Sequence, residues 1–283
     1  MLKAILIAMS VGLSMTAPPP AAGSEGFERL EGFESIVLNQ VNQVMGSDRL
    51  PSGMGLPVEP GVYVVIASDR LTIFDKAVAG VEGGQRYANA DQIAPESKTG
   101  CPISVFDGFY STWSRIVDEA RVAALDVPNR VLIGADASLP ASMFLQAAYA
   151  AMETRPMSVP NLYMLVNGGR AGLRARPFFV LPPEGLLVPS GQRPLALRVT
   201  MKGGDRFSVS AASPKFGRVV EATSSSELFS ILQDVKKRNP GKETLIIDAS
   251  EGGTVGDMLK VIALAQDEFS RVVLALGQKV VIG

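Results

Sequence analysis

The chain has 283 residues, of which 47% are hydrophobic and 19% are charged, so its composition suits packed cores rather than disorder. Its net charge of -1 and its few aromatic residues disfavour nucleic-acid binding, which normally depends on a basic surface and on stacking side chains. The absence of histidine excludes Ser-His-Asp and Cys-His nucleophiles and most zinc sites, and the single cysteine, Cys101, excludes an intrachain disulfide.

The first 22 residues are predicted to be a secretory signal peptide. Lys3 precedes an apolar run over residues 4–17, and small residues follow that run. The run is shorter than the ~20 residues that a membrane-spanning helix needs. An uncleaved N-terminus is the alternative. We therefore expect an exported, periplasmic protein that does not span the membrane.

Residues 23–60 are predicted to form an amphipathic helix and a linker. An apolar face at helical spacing is formed by Phe27, Leu30, Val37, Val41 and Val44. The sequence LPSGMGLPVEPG at 50–61 then has the proline and glycine content of a connector.

A first α/β unit is predicted over residues 61–169. Its strands are expected at 62–67, 71–74, 130–135 and 161–169, and its helices at 108–126 and 138–153. Residues 75–108 contain scattered Gly, Asn, Pro and Asp, which favour a long irregular insertion.

Residues 170–194 are predicted to be a second linker, rich in proline, glycine and basic residues. Only Glu184 opposes its arginines, which are Arg170, Arg174, Arg176 and Arg193. A solvated linker would explain this cluster, and contact with an anionic partner is the functional alternative. We take Arg170, Arg174 and Arg176 as candidate partner-binding residues.

The order of elements then repeats in a second unit, residues 195–283. Strands are expected at 195–201, 206–211, 244–249 and 271–276, and helices at 224–239 and 254–269. Ser224 with Glu227, and Thr254 with Asp257, have the spacing of capping boxes. The repeated order indicates an internal duplication. The predicted fold class is α/β, an α+β sandwich of two tandem small units.

The segment EGGTVG at 251–256 lies between a predicted strand and a predicted helix, where many proteins bind phosphate. Glu251 stands where a dinucleotide fingerprint has its first glycine, and Asp257 stands where a P-loop closes with Gly-Lys-Ser/Thr. We therefore interpret the glycines as permitting a tight turn, and we predict no cofactor.

Two acids, Asp136 and Asp248, lie near the ends of equivalent predicted strands. Carboxylates at such positions commonly serve turns and caps, and we predict that role for both. A calcium loop of D-x-D-x-D-G type is absent, and no metal site is predicted.

The two units share an apolar pattern that resembles a known family. In TLIIDASEGGTVGDMLKVIALAQ and the strand after it, the pattern is formed by Leu245, Ile247, Val255, Leu259, Ile262 and Val272. VLIGADASLPASMFLQAAYAA in the first unit fits as well, with Ala135-Asp136 ending its strand. Residues 57–167 and 195–277 resemble the periplasmic domain of the ExbD/TolR family. The resemblance implies a mixed sheet in each unit with two helices packed on one face.

The N-terminus departs from the family pattern. Members of that family resemble one another in a transmembrane helix whose Asp takes part in proton passage with an ExbB/TolQ channel, whereas the first acid here is Glu25. The resemblance therefore does not imply motor function for this chain. Two fused units would instead imitate the dimer that such domains form.

The functional hypothesis is a non-enzymatic, exported envelope protein, an ExbD/TolR-like accessory or binding module of a proton-motive-force-linked biopolymer-transport system. Its partner would be an envelope protein, the cell wall or an ExbB/TolQ-like complex. Strand addition at 62–67, 271–276 or 279–283 is one way to bind it. One alternative is a glycan-acting enzyme using Asp136 with Asp107, because glycosidases place two carboxylates within ~5–10 Å. Another alternative is a structural pseudo-dimer without a ligand.

Overall fold

A computed structural model describes residues 25–82, 86–87, 93–123, 129–154, 160–188, 197–211, 219–241 and 243–282. The predicted signal peptide and Arg193 lie outside these residues. The described helices are α1 (Glu25–Val44), α2 (Ile103–Ala123), α3 (Ala141–Glu153), α4 (Ser225–Arg238) and α5 (Val255–Gln266). The strands are β1 (Val62–Ile66), β2 (Arg70–Ile73), β3 (Lys76–Glu82), β4 (Arg86–Tyr87), β5 (Arg130–Ala135), β6 (Asn161–Asn167), β7 (Leu173–Val180), β8 (Leu186–Val188), β9 (Leu197–Met201), β10 (Phe207–Ala211), β11 (Val220–Ala222), β12 (Thr244–Asp248), β13 (Arg271–Ala275) and β14 (Val280–Ile282).

Twelve of the described strands form one mixed sheet, in the order β11-β10-β9-β12-β13-β7-β6-β5-β1-β2-β3-β4. In the first half, β1 pairs antiparallel with β2 and parallel with β5, and β5 pairs parallel with β6. In the second half, β9 pairs in the same two ways with β10 and β12, and β12 pairs parallel with β13. The mixed α/β class is confirmed. The two halves share strand order and direction, but they belong to one continuous sheet.

β7 joins the two halves, because it pairs antiparallel with β6 and parallel with β13. The prediction of a linker over 170–194 is therefore wrong at β7 and also at β8, which pairs with β14. Leu173 and Ala175 are buried, and Arg174 and Arg176 between them are half-buried, as in a strand with alternating environments. Pro177 and the arginines favoured a connector because proline and charge are uncommon in central strands.

Two further predictions about the sheet are corrected by the structure. β3 and β4 occupy part of the segment predicted to be irregular, 75–108, and they extend the sheet beyond β2. Strand addition at 62–67 or 271–276 is excluded because β1 and β13 lie inside the sheet. The edge strands of the large sheet are β4 and β11, and β14, from the third proposed edge, pairs with β8.

Four helices pack side by side on one face of the sheet, in the order α2, α3, α5, α4. α1 packs on the other face of the first half, where Phe33 meets Tyr63 of β1 with ring centroids 6.2 Å apart. Every residue of β1 is buried, as a strand covered on both faces requires. In the second half, a small cluster of Leu181, Ile246, Val273 and Ala275 lies against Val280 of the β8–β14 pair. Both halves contribute to one main hydrophobic core.

Candidate functional site

The glycine turn between β12 and α5 has a role in the fold rather than in phosphate binding. Gly252 and Gly253 have φ values of 143° and 88°, which side chains rarely adopt. A Cβ on Gly253 would lie 2.3 Å from Met201 Cε. The first backbone N–H groups of α5 also have protein acceptors: Val255 N donates to Leu139 O and Gly256 N to Ala137 O, both at 2.8 Å. These donors are therefore not free to bind a phosphate, which agrees with the predicted tight turn.

The same turn brings the two halves together. Ala141 N, at the start of α3, donates to Gly253 O at 3.0 Å, and Pro140 and Thr254 form an antiparallel bridge. Pro140 and Thr254 are the N-cap residues of α3 and α5, the equivalent helices of the two halves. Thr254 and Asp257 complete the predicted capping box. The two halves of the sheet thus contact each other through the N-terminal ends of α3 and α5.

Asp136 and Asp248 are buried, and each accepts a hydrogen bond from the backbone N–H two residues later in its turn. Asp136 accepts hydrogen bonds from Ser138 N at 2.9 Å and Ser138 Oγ at 2.7 Å, and it pairs with Arg49 at 3.3 Å. Asp248 accepts from Ser250 N and Gly277 N, both at 3.0 Å. The predicted turn role is confirmed for both. Asp107 is exposed on α2, and in the described residues no contact joins it to Asp136.

A polar network that the sequence did not indicate surrounds Asp248. Arg198 Nη1 donates to Asp248 Oδ2 at 2.5 Å, and Arg198 Nη2 donates to Gln278 O. Tyr149 Oη of α3 donates to Gln278 Oε1 at 2.8 Å. Burial, and secondarily the charge of Asp248, raises the pKa of the Tyr149 phenol. The network links α3 of the first half to β9 and β12 of the second.

Cys101 is buried, and its Sγ lies 3.8 Å from Gln146 O as a weak donor. Burial, and then the charge of Glu153, raises the pKa of this thiol well above its ordinary value. A protonated, buried thiol is a poor nucleophile, so the structure favours an inert role.

The three predicted partner-binding arginines lie close in sequence but in different environments. Arg170 is exposed on a 3-10 turn, Gly169–Ala171. Arg174 is half-buried and donates to its own neighbour, Leu173 O, at 3.3 Å. Arg176 is half-buried and donates to Gln266 at the end of α5. Burial lowers the pKa of the Arg176 guanidinium.

Arg176 lines a groove to which neither Arg170 nor Arg174 contributes. The groove has a volume of about 960 Å³ and lies between residues 48–54 and the surface of α5. Leu50, Pro51, Met54, Leu259 and Leu264 contribute apolar wall, and the charged lining residues are Asp48, Arg176, Asp257, Lys260 and Asp267. This volume is at the upper end of the range of pockets that hold small molecules.

The chain has no match among the known proteins with which it was compared: no family model, no curated protein and no solved structure. None of the described helices is both long and apolar enough to cross a membrane. Over the same residues, no group of three or more Cys, Asp or Glu is arranged to hold a metal ion.

Proposed function

We propose that the chain is a non-enzymatic binding module of the cell envelope, exported to the periplasm, and that the groove along α5 holds its partner. The observation that carries the proposal is the state of Arg176. Its guanidinium is half-buried, and in the part of the chain that the structure describes it bonds the neutral Gln266 and no carboxylate. A partly desolvated cation without an anion is costly, and an anionic group on a partner would compensate for it.

The exposure of Met54 gives further support. This side chain lies at the rim of the groove and is 88% exposed. Methionine adapts its shape to different surfaces, which suits a site that closes over a partner. A purely structural pseudo-dimer needs neither an exposed Met54 nor an uncompensated Arg176.

The proposed partner is an envelope protein, the cell wall or an ExbB/TolQ-like complex of a biopolymer-transport system. The equivalent strand order of the two halves supports the expected ExbD/TolR-like duplication, in which one chain imitates a dimer. The alternative of a glycan-acting enzyme loses its candidate pair, because Asp136 is ion-paired and bonded within its own turn while Asp107 is exposed.

The test is photo-crosslinking in living cells. A photoreactive phenylalanine analogue is placed at Met54, and captured proteins or wall fragments are identified by mass spectrometry. The matched control carries the same analogue at Val122 of α2, which is 87% exposed and does not line the groove. We expect one envelope component to be captured from Met54 and not from Val122. Equal capture from both sites, or none from Met54, would contradict the proposal.

A further inference from the structure

We infer that the groove along α5 takes a short extended peptide segment that carries a basic side chain at one end and an acidic side chain at the other. The inference rests on the proposed function and specifies the ligand of the same site. Three properties of the groove support it: its length, its charge distribution and the free backbone at its rim.

The groove follows the whole of α5. Ala137 N donates to Arg49 O, and Gly256 N donates to Ala137 O, both at 2.8 Å, so the residues around 48–49 adjoin the first turn of α5. Leu56 forms a bridge with Ala175, next to Arg176, which bonds the last residue of α5. α5 has 12 residues, which correspond to a length of about 18 Å. An extended peptide of about six residues spans that distance.

The ends of the groove differ in charge. At the end near the first turn of α5, Asp48 is exposed and has no ion-pair partner among the described residues, while Asp257 pairs with Lys260 at 3.4 Å. At the other end, Arg176 is half-buried, and Asp267 is exposed to water. The field of a half-buried charge is screened less than that of an exposed one. The net preference is therefore for a cation beside Asp48 and a carboxylate beside Arg176.

The backbone at the rim indicates a peptide. Gly53 N bonds Asn167 O at 3.1 Å, and the N–H and C=O of Leu56 both pair with Ala175 at 2.9 Å. Between them lies Met54, which lines the groove, and its N–H and C=O make no hydrogen bond within the described part of the chain. Unpaired backbone N–H and C=O groups at an exposed edge can form hydrogen bonds with an added peptide strand. The protein would thus hold both the backbone and the end charges of the peptide.

The test measures binding of blocked hexapeptides to the purified full chain by calorimetry at low salt. The probes are acetyl-Lys-Ser-Val-Ser-Val-Glu-amide and its Lys/Lys and Glu/Glu counterparts, so that only the end charges differ. We expect the mixed peptide to bind at least ~10-fold more tightly than either counterpart, and the difference to shrink with added salt. Equal affinities for the three peptides, or no binding of any, would overturn the inference.

Charge reversal makes the test specific to the two ends. Arg176→Glu should shift the preference to the Lys/Lys peptide, and Asp48→Lys should shift it to the Glu/Glu peptide. Asp48 is exposed, so its variant tests the inference even if Arg176→Glu fails to fold. Arg174→Glu, two residues away on the same strand and outside the groove, is the control and should leave the preference unchanged. Loss of the preference in that control, or its persistence in Asp48→Lys, would contradict the inference.

The two proposals can fail separately. If Met54 captures an envelope component in cells but the purified chain shows no charge preference, the inferred ligand class is wrong and the binding module stands. If neither capture nor peptide binding occurs, both are wrong.

Discussion

Replacing Asp248 with alanine is expected to destabilise the protein far more than the same change at Asp136. Asp248 is buried and its partner, Arg198, has a side-chain exposure of 20%, whereas Arg49, the partner of Asp136, has a side-chain exposure of 52%. Removing one member of a buried ion pair leaves the other charge uncompensated and costs about 3–5 kcal/mol, while a partner with access to water contributes about 0–1 kcal/mol. Loss of the hydrogen bonds in the turn adds to both changes.

The assay is equilibrium unfolding in urea, followed by circular dichroism and by the fluorescence of Trp113. Asp248→Ala should lower the free energy of unfolding by about 4 kcal/mol, and Asp136→Ala by about 1–2 kcal/mol. Asp248→Asn keeps an oxygen that accepts from Ser250 N and Gly277 N, so its loss of unfolding free energy should lie between these two values. If Asp248→Ala costs no more stability than Asp136→Ala, burial of the ion pair does not determine its contribution and this prediction is wrong.

Two further predictions concern the glycine turn and a buried phenol. Gly253→Ala should lower the free energy of unfolding by about 1–3 kcal/mol, because Gly253 has a φ of 88° and an added Cβ would contact Met201. The control Gly241→Ala, where the space around the glycine is open, should change it by under ~0.5 kcal/mol. Similar losses of stability for the two variants in urea unfolding would contradict this prediction. Burial raises the pKa of Tyr63 to about 12, so the unfolded state releases this proton first and stability should fall as the pH rises from 10 to 12. Tyr63→Phe removes a buried hydroxyl that has no hydrogen-bond partner among the described residues. The decrease in stability between pH 10 and 12 should therefore be smaller in this variant by roughly 2–3 kcal/mol, and a pH dependence identical to that of the wild type would disprove the assignment.

The regular elements of the two halves were predictable because their apolar periodicity extends over many residues. The strand at 130–135 and the helices near 224–239 and 254–269 follow that periodicity, and all are present. β7 was missed because Pro177 and two arginines outweighed the alternation in LRARPFFV. That alternation, with Leu173 and Ala175 on one face, was the available signal.

The groove could not be predicted, because three distant parts of the chain form it. Residues 48–54 have the composition of a linker, and the sequence of α5 is typical of a packed helix. Arg176 can be placed beside them only when β7 is recognised as a strand. The basic cluster indicated a partner, but it did not distinguish Arg176 from Arg170 and Arg174. Half-burial of one guanidinium depends on tertiary packing, which local sequence does not encode. The network of Arg198, Asp248, Gln278 and Tyr149 was missed for the same reason.

Binding at the groove along α5 through Arg176 can be measured by combining the crosslink with a substitution. The yield of the Met54 crosslink is measured in cells that express either Arg176→Gln or Arg174→Gln, at equal protein levels. We expect Arg176→Gln to lower the yield about 10-fold, because a charged hydrogen bond of about 1.5 kcal/mol is lost, and Arg174→Gln to leave the yield unchanged. Equal yields in the two variants would contradict the proposal.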